Sequence, residues 1–230
     1  MLDARLGSAA KFVRQGAIFA DIGTDHAHLP LFLLSEGRIE RAVCSDINEG
    51  PLCSAEQNAA AAGLSEKIDF HLTDGALSLA GLGITDVAVC GMGGELIADI
   101  IDRAPWLRTR GVRLILQPMT RAGELRSYLG AAGFSVMAED YSEAQGKYYV
   151  TVVAEYTGER RTLTETEAYL GREASVTDKN GAYFGYLSSL AVACRRRILG
   201  RRAGGRDTER DETILKELEK RLEGRTEYDG

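Results

Sequence analysis

The sequence predicts an α/β fold: a mostly parallel, Rossmann-like sheet, an antiparallel hairpin closing its C-terminal edge, and a helical appendage after it. Three observations predict this. Short apolar runs that include β-branched residues alternate with helical stretches as far as about residue 125. Two strand-like runs then follow with no room for a helix between them. From Leu163 onward no strand signal remains.

The alternating region supplies five candidate strands, at 17–21, 42–46, 68–72, 86–90 and 112–116, most of them ending in a polar or glycine cluster. Helical stretches at 29–37, 51–62, 94–104 and 122–132 separate them, and each crossover between parallel strands should be right-handed. Residues 134–140 and 148–156 form the hairpin, joined by SEAQGK. In its second arm Tyr149, Thr151, Val153 and Glu155 alternate with Val150, Val152 and Ala154, as expected of an antiparallel edge. Five parallel strands ending in a hairpin is the pattern of class I methyltransferases, and is less typical of dehydrogenases, which continue with more βα units.

The last third reads as helix. Thr164 with Glu167 fits a capping box. Tyr183, Leu187, Leu190, Cys194 and Ile198 recur at helical spacing, as do Leu215, Leu218 and Leu222, with the glycine- and charge-rich GRRAGGRDTERD between them. This predicts two long helices packed as an antiparallel hairpin of coiled-coil type, with RTEYDG frayed beyond it. The expected organisation is a ligand-binding sheet domain over 1–157 and a helical domain over 158–230.

Composition agrees. The 230 residues, 44% hydrophobic and 27% charged, suffice for one α/β domain with a smaller appendage. No apolar run approaches the roughly 20 residues of a membrane span, and MLDARLGSAAKFV lacks the apolar core of a secretory signal. The expected location is therefore the cytoplasm, away from membranes. Cys44, Cys53, Cys90 and Cys194 form no CxxC pair, and His26, His28 and His71 are scattered, so no metal is expected and free thiols are the simpler reading. The net charge of -6 is uneven: residues 1–155 carry -7 and residues 156–230 carry +1. Arg195, Arg196, Arg197, Arg201 and Arg202 fall within eight positions of that second part. Such a run is either a solvated face paired with acids or a phosphate-contacting patch.

The strand ends carry the chemistry, because open α/β sheets bind ligands at the carboxyl ends of their strands. The first junction reads ADIGTDHAHLP. Gly23 lets the chain turn sharply and a ligand approach the backbone, but Asp25 stands where a dinucleotide motif has its second glycine. A pyrophosphate would meet a carboxylate there, whereas S-adenosylmethionine, with its sulfonium and ammonium, would not suffer that repulsion. An ordinary turn with Asp25 capping the next helix is the alternative. In CSDINEGPL, Asp46 closes the second strand, where an acid binds the ribose hydroxyls of a nucleoside cofactor, or caps the following helix. Asp74 and Gly75 form a turn after the third strand, a weak signal alone. In VCGMGGELI, Gly91, Gly93 and Gly94 would let a flat base slide close to a methyl donor, or serve close helix–strand packing. Gln117 and Arg121, in LILQPMTRAGELR, are candidate base or phosphate contacts, or else belong to a buried turn stabilised by Pro118. Asp25 is the candidate catalytic residue: methylating a ring nitrogen through its lone pair needs no prior deprotonation, but it creates positive charge that a carboxylate stabilises.

Taken in order, ADIGTDHAHLP, SDINEGPL, DGALSL, VCGMGGELI, LILQP and GKYYVTVVAE resemble the bacterial tRNA (adenine-22-N1)-methyltransferases, from about Arg5 to Glu155. The resemblance implies S-adenosylmethionine as cofactor and transfer of its methyl group to N1 of an adenine in tRNA. It places the cofactor against Gly23, Asp25, His26, Asp46, Ile47, Asp74 and Gly75, with Gly91 and Met92 bordering the base pocket. It implies tRNA contact by C-terminal helices, which favours the phosphate-contacting reading of Arg195, Arg196 and Arg197 over the solvated face. It does not single out a catalytic residue. Competing readings are a methyltransferase acting on another RNA, a protein or a small molecule, and an RNA-binding module that has lost catalysis. The Arg-rich appendage argues against a small-molecule enzyme, and intact Gly23, Asp46 and GMGG argue against decay.

Overall fold

The computed structural model describes residues 2–224; the RTEYDG segment lies outside them. The strands are β1 (Ala17–Ile22), β2 (Ile39–Asp46), β3 (Ile68–Leu72), β4 (Asp86–Gly93), β5 (Arg113–Thr120), β6 (Phe134–Ala144) and β7 (Lys147–Tyr156). They form one sheet in the order β3-β2-β1-β4-β5-β7-β6. β1 to β5 are parallel, and β7 inserts antiparallel between β5 and β6. The helices are α1 (Ala4–Phe12), α2 (His28–Ser35), α3 (Glu49–Ala61), α4 (Gly94–Arg103), α5 (Ala122–Ala132), α6 (Glu165–Leu170), α7 (Gly181–Ala203) and α8 (Glu209–Glu223).

Successive strand residues face opposite sides of the sheet, and both sides are covered. In β5, Leu114 and Leu116 join the apolar cluster under α4, α5, α7 and α8, while Ile115 joins the other, under α1, α2 and α3. The central strands therefore read as continuous apolar runs. Tyr183, Phe184, Leu187, Cys194, Ile198, Ile214 and Leu218 of α7 and α8 share one cluster with Leu125, Leu129 and Val152 of the sheet region. The predicted helical hairpin is thus packed onto the sheet's helix layer. Beneath it Arg126 and Glu139 form a buried ion pair (Nε to Oε1, 2.6 Å), Tyr141 donates to Glu139 at 2.9 Å, and Arg126 Nη1 donates to the Ala168 and Tyr169 carbonyls. The network ties α5 and β6 to the end of α6. The capping box expected at Thr164 and Glu167 opens α6.

Three features differ from expectation. α1 carries no strong periodic signal because its buried positions are the small Ser8, Ala9 and Ala10; Asp3 caps it by accepting from the Leu6 amide at 2.7 Å. The hairpin strands run through most of SEAQGK, leaving Gln145 and Gly146 as the turn, both at positive φ (53° and 72°). Positive φ at both central positions matches the right-handed strand twist. β4 extends to Gly93 through register shifts around Met92. Among the described residues no helix is long and apolar enough to cross a membrane, and no group of three or more His, Cys, Asp or Glu is placed to hold a metal ion.

Candidate active site

The strand order reverses between β1 and β4, with β2 to one side and β5 to the other, which is where an open α/β sheet has its ligand crevice. The chain leaves β1 at Gly23, whose amide donates to the Ser45 carbonyl at 2.8 Å and whose φ is +72°. A β-carbon on Gly23 would overlap the Met92 Cε. That methionine is aimed here by β4, where Gly91 at φ +83° accompanies the register shift. Gly23 and Met92 thus meet across the switch point, beside a cavity of about 500 Å³. Asp21, Gly23, Asp25, Gly91 and Met92 line it from the strand ends, Arg5 lines it from α1, and Tyr149 from the hairpin.

The loop after β1 holds two non-glycine residues in the left-handed region, His26 (φ 61°) and Ala27 (φ 53°). Such conformations cluster at ligand sites, where surrounding contacts enforce them; here Asn58 donates to the His26 carbonyl at 3.0 Å. The Asp25 side chain is 80% exposed, with Oδ1 at 3.2 Å from His26 Nε2. His28 lines the cavity beside Asp25, and His26 stacks on it with ring centroids 5.5 Å apart.

Asp21 is the buried acid of the site and accepts a 2.6 Å bond from the Thr24 hydroxyl. Burial pushes its carboxyl up to about 6, reinforced by the charges of Asp25 and Asp46 and opposed by Thr24 and Arg5. Burial also pushes the Cys90 thiol up, which keeps it protonated at neutral pH. Asp46, at the end of β2, accepts from the Asn48 amide at 2.8 Å. Next to it Ile47 is 62% exposed, and Leu72 and Leu77, at and after the end of β3, are 55% and 59% exposed. Open apolar side chains beside a carboxylate suit an aromatic base attached to a hydroxylated sugar. Asp74 is paired with Arg103 through both carboxylate oxygens, at 2.7 and 3.1 Å, which holds its carboxyl below the usual range. Gly75 follows it at φ +73°, packed on Ile100.

The remaining candidates separate in space. A β-carbon on Gly94 would overlap the Arg121 carbonyl, and one on Gly93 would press on Thr120 Oγ1 at 3.3 Å, so close packing of α4 against the β5–α5 turn requires Gly94. Gln117 is fully buried, with Nε2 donating to the Arg5 carbonyl and Thr151 Oγ1 and Oε1 accepting from Arg5. It reaches the cavity only through Arg5. Arg121 (φ 56°) pairs with Glu95 at 2.6 Å. It lines a second cleft of about 740 Å³ between the β5 end and the helical hairpin, which shares Met119 and Tyr149 with the first cavity. Arg197 also lines this cleft, bonded to Asp211 and Tyr169 Oη at 3.0 and 2.8 Å. Arg195 pairs with Glu219 at 2.8 Å on the outer surface, and Arg196 is exposed.

Sequence reasoning passed over Arg5, Asp21 and Tyr149. Asp21 carried a signal, an acid near the end of β1 two residues before the glycine turn. Arg5 and Tyr149 carried none, because only the tertiary fold brings α1 and the hairpin to the β1 and β4 ends. The lining groups, Asp21 and Asp25 with one guanidinium beside a glycine cradle, and Asp46 near enough for its charge to act on Asp21, fit a cationic nucleoside ligand such as S-adenosylmethionine.

Comparison with known proteins agrees. Residues 2–152 match a family model described as a methyltransferase domain. The tRNA (adenine(22)-N(1))-methyltransferase of Bacillus subtilis is 31% identical over 227 residues, spanning 96% of this chain and 94% of that protein. The structure of Sp1610 from Streptococcus pneumoniae, a candidate tRNA (m1A22) methyltransferase in complex with S-adenosyl-L-methionine, superposes with a TM-score of 0.81 at 32% identity, covering 94% of this chain and all of that one. M. capricolum TrmK in complex with S-adenosyl-homocysteine shares the fold, with a TM-score of 0.74 at 24% identity over 99% of this chain and 97% of that chain. On the methyltransferase-domain match and the identity that runs through nearly its whole length, the chain belongs to the tRNA (adenine(22)-N(1))-methyltransferase family.

Proposed function

We propose that the protein transfers the methyl group of S-adenosylmethionine to N1 of adenine 22 in tRNA, in the cytoplasm. The observation that carries the reading is the approach of Gly23 to Met92 at the strand switch point, beside a cavity lined by Asp21 and Asp25. S-adenosylmethionine supplies an electrophilic methyl group on a positively charged sulfur. Asp46 accepts hydrogen bonds from the ribose hydroxyls, and Ile47, Leu72 and Leu77 cover the faces of the adenine moiety. Asp74 and Gly75 border the same base edge. Asp21 holds the ammonium, and Gly23 keeps the cradle floor free of side chain.

The target base enters past Gly91 and Met92, from the cleft shared by Met119 and Tyr149. Its N1 lone pair forms the new N–C bond while the S–C bond breaks and its electron pair stays on sulfur. No proton leaves the base during the step, and the product base is cationic. Asp25 stabilises that developing charge. Its carboxylate is solvated in the free protein, so its effect grows when the RNA excludes water. Arg121 and the exposed Arg195 and Arg196 contact phosphates, a sequence-independent contribution, while Arg197 braces the helical hairpin. The sheet domain, over 1–157, would carry the chemistry, and residues 158–230 would hold the RNA.

Calorimetric titration tests the cofactor half of this reading. S-adenosylmethionine should bind and NAD should not, and Asp46→Ala should weaken S-adenosylmethionine binding about tenfold through loss of its ribose hydrogen bonds without unfolding the protein. Binding of NAD in preference would overturn the assignment.

A further inference from the structure

A further cavity, of about 340 Å³, opens between α5, the start of β6 and α6. It shares no lining residue with the cofactor cavity or with the cleft beside the helical hairpin. α6 stands between cavity and cleft: Glu167 lines the cavity, whereas Ala168 and Tyr169 line the cleft. The volume is in the range of small-ligand sites, and the walls are held by main-chain bonds. The Thr157 and Gly158 amides donate to the Gly133 carbonyl at 3.1 and 3.0 Å, and the Arg161 amide donates to the Gly130 carbonyl at 2.8 Å. The segment carrying Glu159 and Arg160 is thereby fastened to the end of α5, so closely that a β-carbon on Gly130 would overlap the Arg161 carbonyl. The segment carrying Arg172 and Ser175 is anchored to β6, where Val176 bridges Glu139 and the Thr177 amide donates to the Glu139 carbonyl at 2.9 Å. Phe134 and Val136 of β6, with Leu163, supply the apolar lining.

Four arginines line this cavity, and two are already satisfied: Arg126 is paired with Glu139, and Arg161 with Glu167. Arg160 and Arg172 are exposed, and neither side chain has an ion-pair or hydrogen-bond partner among the described residues. Ser175 is only 9% exposed, yet its hydroxyl makes no hydrogen bond among the described residues either. Glu159 is the remaining charged lining group, which leaves four guanidiniums against three carboxylates. Two open guanidiniums on one small cavity call for a dianion. A phosphate monoester carries nearly two charges at neutral pH, and arginine forks take its oxygens in bidentate fashion. We propose that this cavity is a second ligand site, separate from the cofactor site, for a nucleoside monophosphate. Arg160 and Arg172 hold the phosphate and Ser175 donates to it. Glu159 accepts from the sugar hydroxyls, and Phe134, Val136 and Leu163 cover the base. The site stands independently of the methyl-transfer reading, because none of its residues takes part in that reaction.

Uridine monophosphate is the probe, since its base differs from the adenine of the cofactor. Its affinity for the full chain is measured by calorimetry, with and without saturating S-adenosylhomocysteine. It should bind equally well in both conditions, and uridine, which lacks the phosphate, should bind about 10- to 100-fold more weakly, the range for charged hydrogen bonds. Arg160→Gln with Arg172→Gln should weaken uridine monophosphate by a similar factor at unchanged melting temperature, since neither side chain has a partner to lose. Arg206→Gln with Lys216→Gln removes the same charge from exposed positions that line none of the cavities described, and should leave the affinity as it was. No binding of uridine monophosphate at about 10 mM, or equal affinity for uridine, overturns the inference, and these arms need no variant. Displacement by S-adenosylhomocysteine also overturns it, because the probe then sits in the cofactor cavity. So does an equal loss in the two double variants, which would mark a general effect of charge.

Discussion

If Asp21 holds the ammonium of S-adenosylmethionine as proposed, cofactor binding depends on pH in a calculable direction. The Asp21 carboxyl is pushed from 3.8 to about 6, chiefly by burial. In the free protein the neutral form is therefore favoured relative to the unfolded chain. The folded state retains a proton between about pH 4 and 6 that the unfolded state has released. Stability attributable to this group is highest below pH 4 and falls as pH rises through 6, by about 3 kcal/mol at most. An ammonium bound against the carboxylate reverses the balance, since an adjacent cation favours the ionised form. Binding then drives proton release below pH 6. At pH 5 only about one tenth of Asp21 is ionised, against nearly all at pH 7.5, so affinity for S-adenosylmethionine should fall about tenfold over that interval. Asp21→Asn should bind weakly and show little pH dependence over the same range, and its free form should be the more stable one at pH 7. Calorimetric titrations from pH 5 to 8, in buffers of different ionisation enthalpy, read both the affinity and the protons released. A flat profile for the unmodified protein, or the same slope in Asp21→Asn, would falsify the assignment of Asp21 to the cationic head.

Other perturbations separate site from scaffold. Gly23→Ala forces a β-carbon at φ +72° onto the Met92 methyl group; it should cost about 1–2 kcal/mol of stability and most of the cofactor affinity, and Gly23→Ala with Met92→Ala should recover part of the binding. If single and double variants bind alike, the Met92 contact is not the obstacle. Arg126→Met leaves Glu139 charged and buried without its partner, so urea unfolding should show a loss of about 3–5 kcal/mol; a loss below 1 kcal/mol would mean that water or another cation reaches Glu139. Arg195→Ala with Arg196→Ala should weaken tRNA binding and lower the slope of log affinity against log salt by about 1 to 2, at unchanged melting temperature; unaltered tRNA affinity would make these residues a solvated face.

What could be read from the sequence followed from local pattern. Strand ends rich in glycine and acid marked the ligand side of the sheet, and Gly23, Asp25, Gly91 and Met92 do converge on one cavity. The strand order was not written locally, because pairing of β1 with β4 joins segments more than sixty residues apart. Helix α1 escaped because small side chains bury without an apolar stripe. The glycines of VCGMGGELI looked equivalent in sequence, yet Gly91 turns the strand while Gly94 lets α4 approach the Arg121 carbonyl. The arginine run looked uniform too. Helical geometry points Arg197 inward to Asp211 and Tyr169 and leaves Arg196 exposed, and those partners come from elements that no spacing rule connects to it.

The central claim is methyl transfer to one ring nitrogen of one nucleotide. Its most direct test incubates the protein with methyl-labelled S-adenosylmethionine and unmodified tRNA transcripts carrying either adenine or guanine at position 22, then identifies the labelled nucleoside by mass spectrometry. The account predicts label recovered as 1-methyladenosine from the adenine transcript and none from the guanine one. Label on both transcripts, or recovered as another methylated nucleoside, would contradict it.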